Sequence, residues 1–148
     1  MLKLPPPIWA LVYVLVCAAI SRVLGWPSFP GLPLALLGFA LVALGFIPPV
    51  WALILFRHEG TEVNPTSLAN RKLVTGGPYR FTRNPMYLGL VIITLGIAFW
   101  VGAWPMFAAP IAVFVTSNWV HIPFEEAKMR RQFATAFDDY VRRVRRWV

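Results

Sequence analysis

The residues best able to bind or orient another molecule lie between Leu73 and Gly89. Gly76-Gly77-Pro78 permits a tight turn with close backbone approach. Arg80 and Arg83 stand three apart just after it, and Asn84-Pro85 opens an apolar run. A helix starting there presents unpaired amide donors and the positive end of its dipole, which suits a carboxylate or another anion. The same arginines would equally serve as plain anchors of a membrane span at the headgroups.

A second group is Glu125-Glu126, just after Pro123. Proline at the first helical position followed by acids in the first turn is an ordinary helix start. Two carboxylates beside a membrane could also hold a cationic ligand. Asp138 and Asp139 precede Arg142 and Arg143 by four residues, the spacing of surface ion pairs. His58-Glu59-x-x-Glu62 lacks the second histidine of the zinc-protease pattern, so no metal site is expected. His121 sits within an apolar run, where a polar packing residue is the plainer reading, although intramembrane ionisable groups are functional by default. Cys17 is the lone cysteine and has no intrachain partner.

The elements that must position these groups follow from composition. The 148 residues fit one domain, 58% are hydrophobic and only 14% charged. Charge is clustered: Leu4 to Ser21, Val23 to Phe56 and Asn84 to Phe124 contain no Asp, Glu, Lys or Arg. A soluble domain must place charge on the outside of every helix, whereas lipid requires only that backbone polar groups be satisfied within the segment. The sequence therefore predicts an all-α integral membrane protein of about four spans, at 8–24, 32–56, 85–101 and 105–122. A polar loop over 57–84 and an amphipathic C-terminal helix over 123–147 complete it. The first apolar run exceeds a signal-peptide core and no small-residue cleavage site follows, so it reads as a retained span. Pro48-Pro49 predicts a kink in the second span, whose length could carry it beyond the membrane. In the tail, Phe133, Phe137, Tyr140, Val144 and Trp147 recur at spacings of four and three, on one helical face. That helix could lie as an interfacial anchor or close as a lid over a site formed by the loop.

The net charge is +8. Because the basic residues flank apolar spans, anionic lipid headgroups rather than nucleic acid are the expected partner. If spans three and four form a hairpin, loop 57–84 and the tail share one side of the bilayer, joined by Lys3, and Arg22 lies near the other. The positive-inside rule makes the shared side cytoplasmic. All six acidic residues are on it too.

Together these segments resemble the isoprenylcysteine carboxyl methyltransferase family, in its bacterial membrane-methyltransferase branch, related to phospholipid methyltransferases. The resemblance covers roughly Gly60 to Trp147. It rests on Gly60-Thr61-x-Val63-Asn64-Pro65, on the block from Leu73 to Gly89, on Pro123-x-Glu125-Glu126, and on Phe133 through Trp147. It implies methyl transfer from S-adenosylmethionine to a lipophilic acceptor, a carboxylate or similar nucleophile, at the cytoplasmic face of a bacterial inner membrane. It also implies a cofactor pocket built from the loop, the following helix and the C-terminal segment. On that basis Tyr79, Asn84, Pro85, Tyr87, Leu88, Gly89, Glu125 and Glu126 are the expected cofactor-binding residues, with Arg83, Arg80 and Glu126 in catalysis. The eukaryotic enzymes and many bacterial relatives usually have histidine where this chain has Asn84, which weakens the inference of a prenylcysteine acceptor. Ala134 replaces a glycine common in the family after Phe133. Two other readings stay open: an NADPH-dependent membrane reductase of related architecture, and a non-enzymatic lipid-binding membrane protein.

Overall fold

A computed structural model describes residues 5–26, 35–60 and 72–148; the expected contributions of Lys3, Glu62, Asn64, Pro65 and Arg71 lie outside them. The regular elements among the described residues are helices. Helix α1 spans Pro6–Val23, α2 Ala35–Glu59, α3 Pro85–Val101, α4 Ala108–Thr116 and α5 Ile122–Arg143. Three helical stretches are long and apolar enough to cross a membrane: α1, α2 and the run Trp104–Arg143. Helix α3 is as apolar but has 17 residues, at the lower limit for a span. This is the build of an integral membrane protein.

Local chemistry sets most helix ends. Helix α1 starts on proline, which needs no amide partner there. Helix α2 holds Pro48 and Pro49 in its interior, continues past Phe56 to Glu59, and stops where Gly60 takes a φ of +62°. Helix α3 starts at Pro85 and ends at Gly102, whose left-handed φ of 68° lets its amide bond the Ala98 carbonyl at 2.9 Å.

The second half departs from expectation in one respect. The fourth span and the tail helix are not separate. From Trp104, a 3₁₀ turn, α4, a widened π turn over Ser117–His121 and α5 form one 40-residue helical stretch. Pro123 comes just after the widened π turn, and the helical stretch continues through it. The interruption falls instead at Ala134, whose φ of 42° and ψ of −119° kink α5. The helix then stops at Arg143 rather than at Trp147, because Val144 is extended (φ −124°, ψ 132°).

Helices α2 and α3 meet backbone to backbone. A Cβ added to Gly89 would lie 2.5 Å from the Gly45 carbonyl oxygen, and one on Gly96 would lie 2.7 Å from that of Gly38. Gly38 faces the end of α3 and Gly45 its start, so the helices run antiparallel. In lipid, where apolar contact alone gives little driving force, such close approach supplies the packing. A core of Cys17, Ala98, Ala103, Met106 and Ala109 joins α1, the end of α3 and the start of α4. The start of α3 is thereby fixed beside the last turns of α2.

Candidate functional site

At that end of the bundle the chain folds a turn, a helix start and the C-terminal segment around a cavity. Gly77, at φ +54°, sets the turn Gly77–Arg80, packed so closely on Trp51 and Leu55 that a Cβ would lie 3.1 Å from each. The Tyr79 ring then lies against Phe56, centroids 5.5 Å apart. Its carbonyl accepts from the Tyr140 hydroxyl at 2.7 Å.

Thr82, Arg83 and Asn84 fasten the C-terminal segment. The Thr82 hydroxyl and the Asn84 side-chain amide both donate to the Arg146 carbonyl, at 3.1 and 2.9 Å. The Arg83 backbone amide donates to the Arg145 carbonyl at 3.0 Å. The Arg83 side chain reaches under the end of α5, where Nη1 donates to the carbonyls of Val141 (3.2 Å) and Val144 (2.7 Å). Those carbonyls would otherwise lack partners, and a cation at a helix C-terminus is favourable. Arg83 Nη2 donates to Glu126 Oε1 at 2.8 Å, and Nε is buried with no acceptor among the described residues.

Glu126 is the hub of this clamp. Arg146 grips it with two donors, Nη2 to Oε2 at 2.6 Å and Nε to Oε1 at 3.2 Å. Such a two-pronged pair is directional as well as strong. Burial alone would raise the Glu126 carboxyl, but the hydrogen bonds and charges of Arg146 and Arg83 outweigh it and hold the group below the usual range. Arg146 also reaches the backbone and side-chain oxygens of Asn118 at 3.3 Å, and the Trp147 indole donates to the Asn118 side chain at 3.1 Å.

Glu125 is held differently. Its Oε1 accepts a 2.5 Å hydrogen bond from the Tyr87 hydroxyl. Burial pushes its carboxyl up to about 7, with Glu126 adding to the rise and the Tyr87 bond and Lys128 charge opposing it. The Tyr87 ring stacks on His121, centroids 6.1 Å apart. Burial and the nearby Glu125 charge also push the Tyr79 phenol up, so it stays a neutral donor.

Beside the clamp lies one cavity of ≈ 560 Å³. Of the residues expected from sequence, Tyr79, Arg83, Asn84, Pro85, Tyr87, Glu125 and Glu126 lie on its wall. Arg80 is exposed and off the wall, Leu88 is also off it, and Gly89 is spent on the contact with α2. The remaining wall is largely apolar, with Leu53, Met86, Leu90, Met129 and Phe137. Glu59 of the histidine-containing motif instead pairs with Lys72 at 2.5 Å. Sequence reasoning missed Thr82, Asn118, Lys128, Arg146 and Trp147 as site residues. For Asn118 there was a signal, a polar side chain in an apolar span. For Lys128 it was the three-residue spacing from Glu125.

A cavity of this size is in the range of small-molecule sites, mostly apolar with a few convergent polar groups. It lies where long apolar helices meet the charged loop. Comparison with curated proteins and with solved structures returns no match. The family model described as phospholipid methyltransferase matches residues 34–136, from the start of α2 to beyond the kink in α5, which takes in most of the cavity wall. A match over well more than half of the chain settles the relationship: this membrane protein belongs to the phospholipid methyltransferase family.

Proposed function

We propose that the chain transfers a methyl group from S-adenosylmethionine to a lipophilic acceptor, a carboxylate or similar nucleophile, at the cytoplasmic membrane face. The observation that carries this reading is the cavity itself: acidic, phenolic and amide groups stand in a largely apolar wall. Family membership supports the cofactor class. The clustering of arginines around the cavity end supports a cytoplasmic orientation.

The donor set fits such a cofactor. Tyr79 and Phe56 offer aromatic faces for a flat base, and Glu125 offers an acidic group for an ammonium or hydroxyls. Asn84, Pro85 and Tyr87 complete that side of the wall. When bound, the sulfonium supplies an electrophilic methyl group. The chain's part is then alignment and exclusion of water rather than proton shuttling. Glu126 and Arg83 act as positioning residues that hold the C-terminal segment over the cavity. Arg83 Nε, the guanidinium donor with no acceptor among the described residues, is available to an anionic group of the acceptor. The apolar residues Leu53, Met86, Leu90 and Met129 suit the acceptor's lipid-like portion. Arg80, exposed and off the wall, is assigned to headgroup contact.

The test is a melting experiment on detergent-purified protein with S-adenosylmethionine, S-adenosylhomocysteine or NADPH. A ligand that binds only the folded state at 100 times its Kd stabilises by roughly 2.7 kcal/mol. Both adenosyl ligands are expected to raise the melting temperature, and labelled methyl groups to pass into extracted lipids or small lipophilic acids. Stabilisation by NADPH alone would overturn the proposal in favour of a reductase.

A further inference from the structure

His121 is 5% exposed and is not a wall residue of the cavity. Its Nε2 is buried with no hydrogen-bond partner among the described residues. Burying such a nitrogen costs stability, so an apolar side chain would occupy the same space at less cost. What the imidazole does have is a partner ring. The Tyr87 ring lies with its centroid 6.1 Å away and its plane inclined by 22°, within the range of offset stacking.

Tyr87 is 4% exposed, lines the cavity, and donates to Glu125 Oε1 at 2.5 Å. The last torsion of a tyrosine is broad, so the side chain alone holds its ring plane weakly. Here the hydrogen bond fixes the tip of the ring and the stacked imidazole fixes its plane. His121 is the final residue of the π turn over Ser117–His121. One extra residue in a turn rotates all that follows by about 100° relative to the preceding helix, and such turns recur at functional sites. His121 and Glu125 are four residues apart, a spacing that shares one helical face, and both meet Tyr87.

We propose that His121 is a positioning residue for the cavity, its ring bracing Tyr87 so that the phenol stays bonded to Glu125. This rests on the methyltransferase reading above, which makes the wall a cofactor site. The flat ring does the bracing, and the nitrogen has no direct part. The brace acts at one remove, because Tyr87 and not His121 lies on the wall.

Binding of S-adenosylhomocysteine and the melting temperature are measured on the full chain in detergent. The proteins are the wild type, His121→Ala, His121→Phe, Tyr87→Phe and the double variant of His121→Ala with Tyr87→Phe. His121→Ala is expected to weaken binding by roughly 2- to 10-fold, the usual value of an aromatic pair. His121→Phe keeps a flat ring and removes the unpartnered nitrogen, so it should bind as the wild type does. Tyr87→Phe loses the hydroxyl that the brace aims, and adding His121→Ala to it should cause no further loss. Additive losses overturn the proposal, because His121 would then act on the site without Tyr87. A folded His121→Phe protein that binds as weakly as His121→Ala also overturns it, since the nitrogen would be the working part. If phenylalanine is too large for the protein to fold, the double variant still decides. A lower melting temperature in His121→Ala with unchanged binding would make His121 a packing residue and overturn the proposal too. Failure of the wild type to bind S-adenosylhomocysteine would remove the methyltransferase reading and this inference with it, a result distinct from any pattern among the variants.

Discussion

The kink in α5 gives a mutational test whose sign depends on the backbone. Ala134 is exposed, so its substitution changes little packing, and its φ of 42° with ψ of −119° lies in a region that L-residues avoid. An alanine held at positive φ costs roughly 1–2 kcal/mol. Glycine removes that strain but adds about 0.4–1 kcal/mol of unfolded-chain entropy. Ala134→Gly should therefore stabilise the protein by roughly 0.5–1 kcal/mol, or about 1–4 °C of melting temperature in a chain of this length. Ala134→Val, which puts a β-branched side chain at positive φ, should destabilise it by about 2 kcal/mol or more. An unbroken helix makes the opposite prediction, since glycine in a helix interior costs about 1 kcal/mol relative to alanine. Melting curves of the three proteins in one detergent decide between them. If glycine lowers the melting temperature and valine is tolerated, the kink is wrong, and so is the path that returns Phe137 and Tyr140 to the cavity.

The clamp and the acidic pair give two more expectations. Glu126→Gln leaves the half-buried guanidiniums of Arg83 and Arg146 without their carboxylate; they are 11% and 32% exposed, and the loss should be about 2–3 kcal/mol, below that of a fully buried pair. Trypsin should then cut faster after Arg143, Arg145 or Arg146, and an unchanged cleavage rate would mean that the clamp does not hold the C-terminus. Glu125 is shifted upward on folding, from 4.5 to about 7, so between those values the folded state binds more protons than the unfolded one. Its contribution to stability therefore falls as pH rises through that window and is flat above it. Melting from pH 5 to 8 should show this slope in the wild type and lose it in Glu125→Gln; equal slopes would rule out a buried, proton-holding Glu125.

The features legible in the sequence were those written locally. Asn84-Pro85 and Gly102 bracket α3, and its bounds follow from those residues alone. The first span is expected from residue 8, but α1 starts at Pro6, because prolines in a first turn open a helix as readily as they precede one. The tail was less legible because its boundaries are tertiary. Pro123 suggests a break, yet the helical stretch runs through it behind the π turn over Ser117–His121. The stop after Arg143 coincides with carbonyls taken up by Arg83, some 60 residues earlier. The α2–α3 contact was equally hidden, because four glycines at sevenfold spacing mean little until the helices are known to be antiparallel. For the site, the region could be read but the division of labour could not. Glu125 and Glu126 are adjacent and alike in sequence, yet one accepts from a tyrosine and the other from two arginines.

That division narrows what each residue is able to do. A carboxylate gripped by two guanidiniums is a poor base and has little remaining attraction for a cation, so Glu126 contributes shape. Arg83, with Nη1 and Nη2 engaged, is likewise committed to holding α5 against the helix start at Pro85. Outside the clamp, Glu125 with its Tyr87 partner is the acid best able to respond to a ligand, and within it only Arg83 Nε has no acceptor among the described residues. Loop and tail are also interdependent: the Arg146 carbonyl is held by Thr82 and Asn84, while its side chain holds Glu126. Loosening either end releases the other, and with it the polar end of the cavity wall. A reaction that needs alignment and dryness more than proton transfer suits a site whose polar groups are mostly locked in this way. Variants of the clamp and of Glu125 should accordingly fail differently, the first by losing the ordered C-terminus and all ligands together, the second by losing one ligand group while the fold persists.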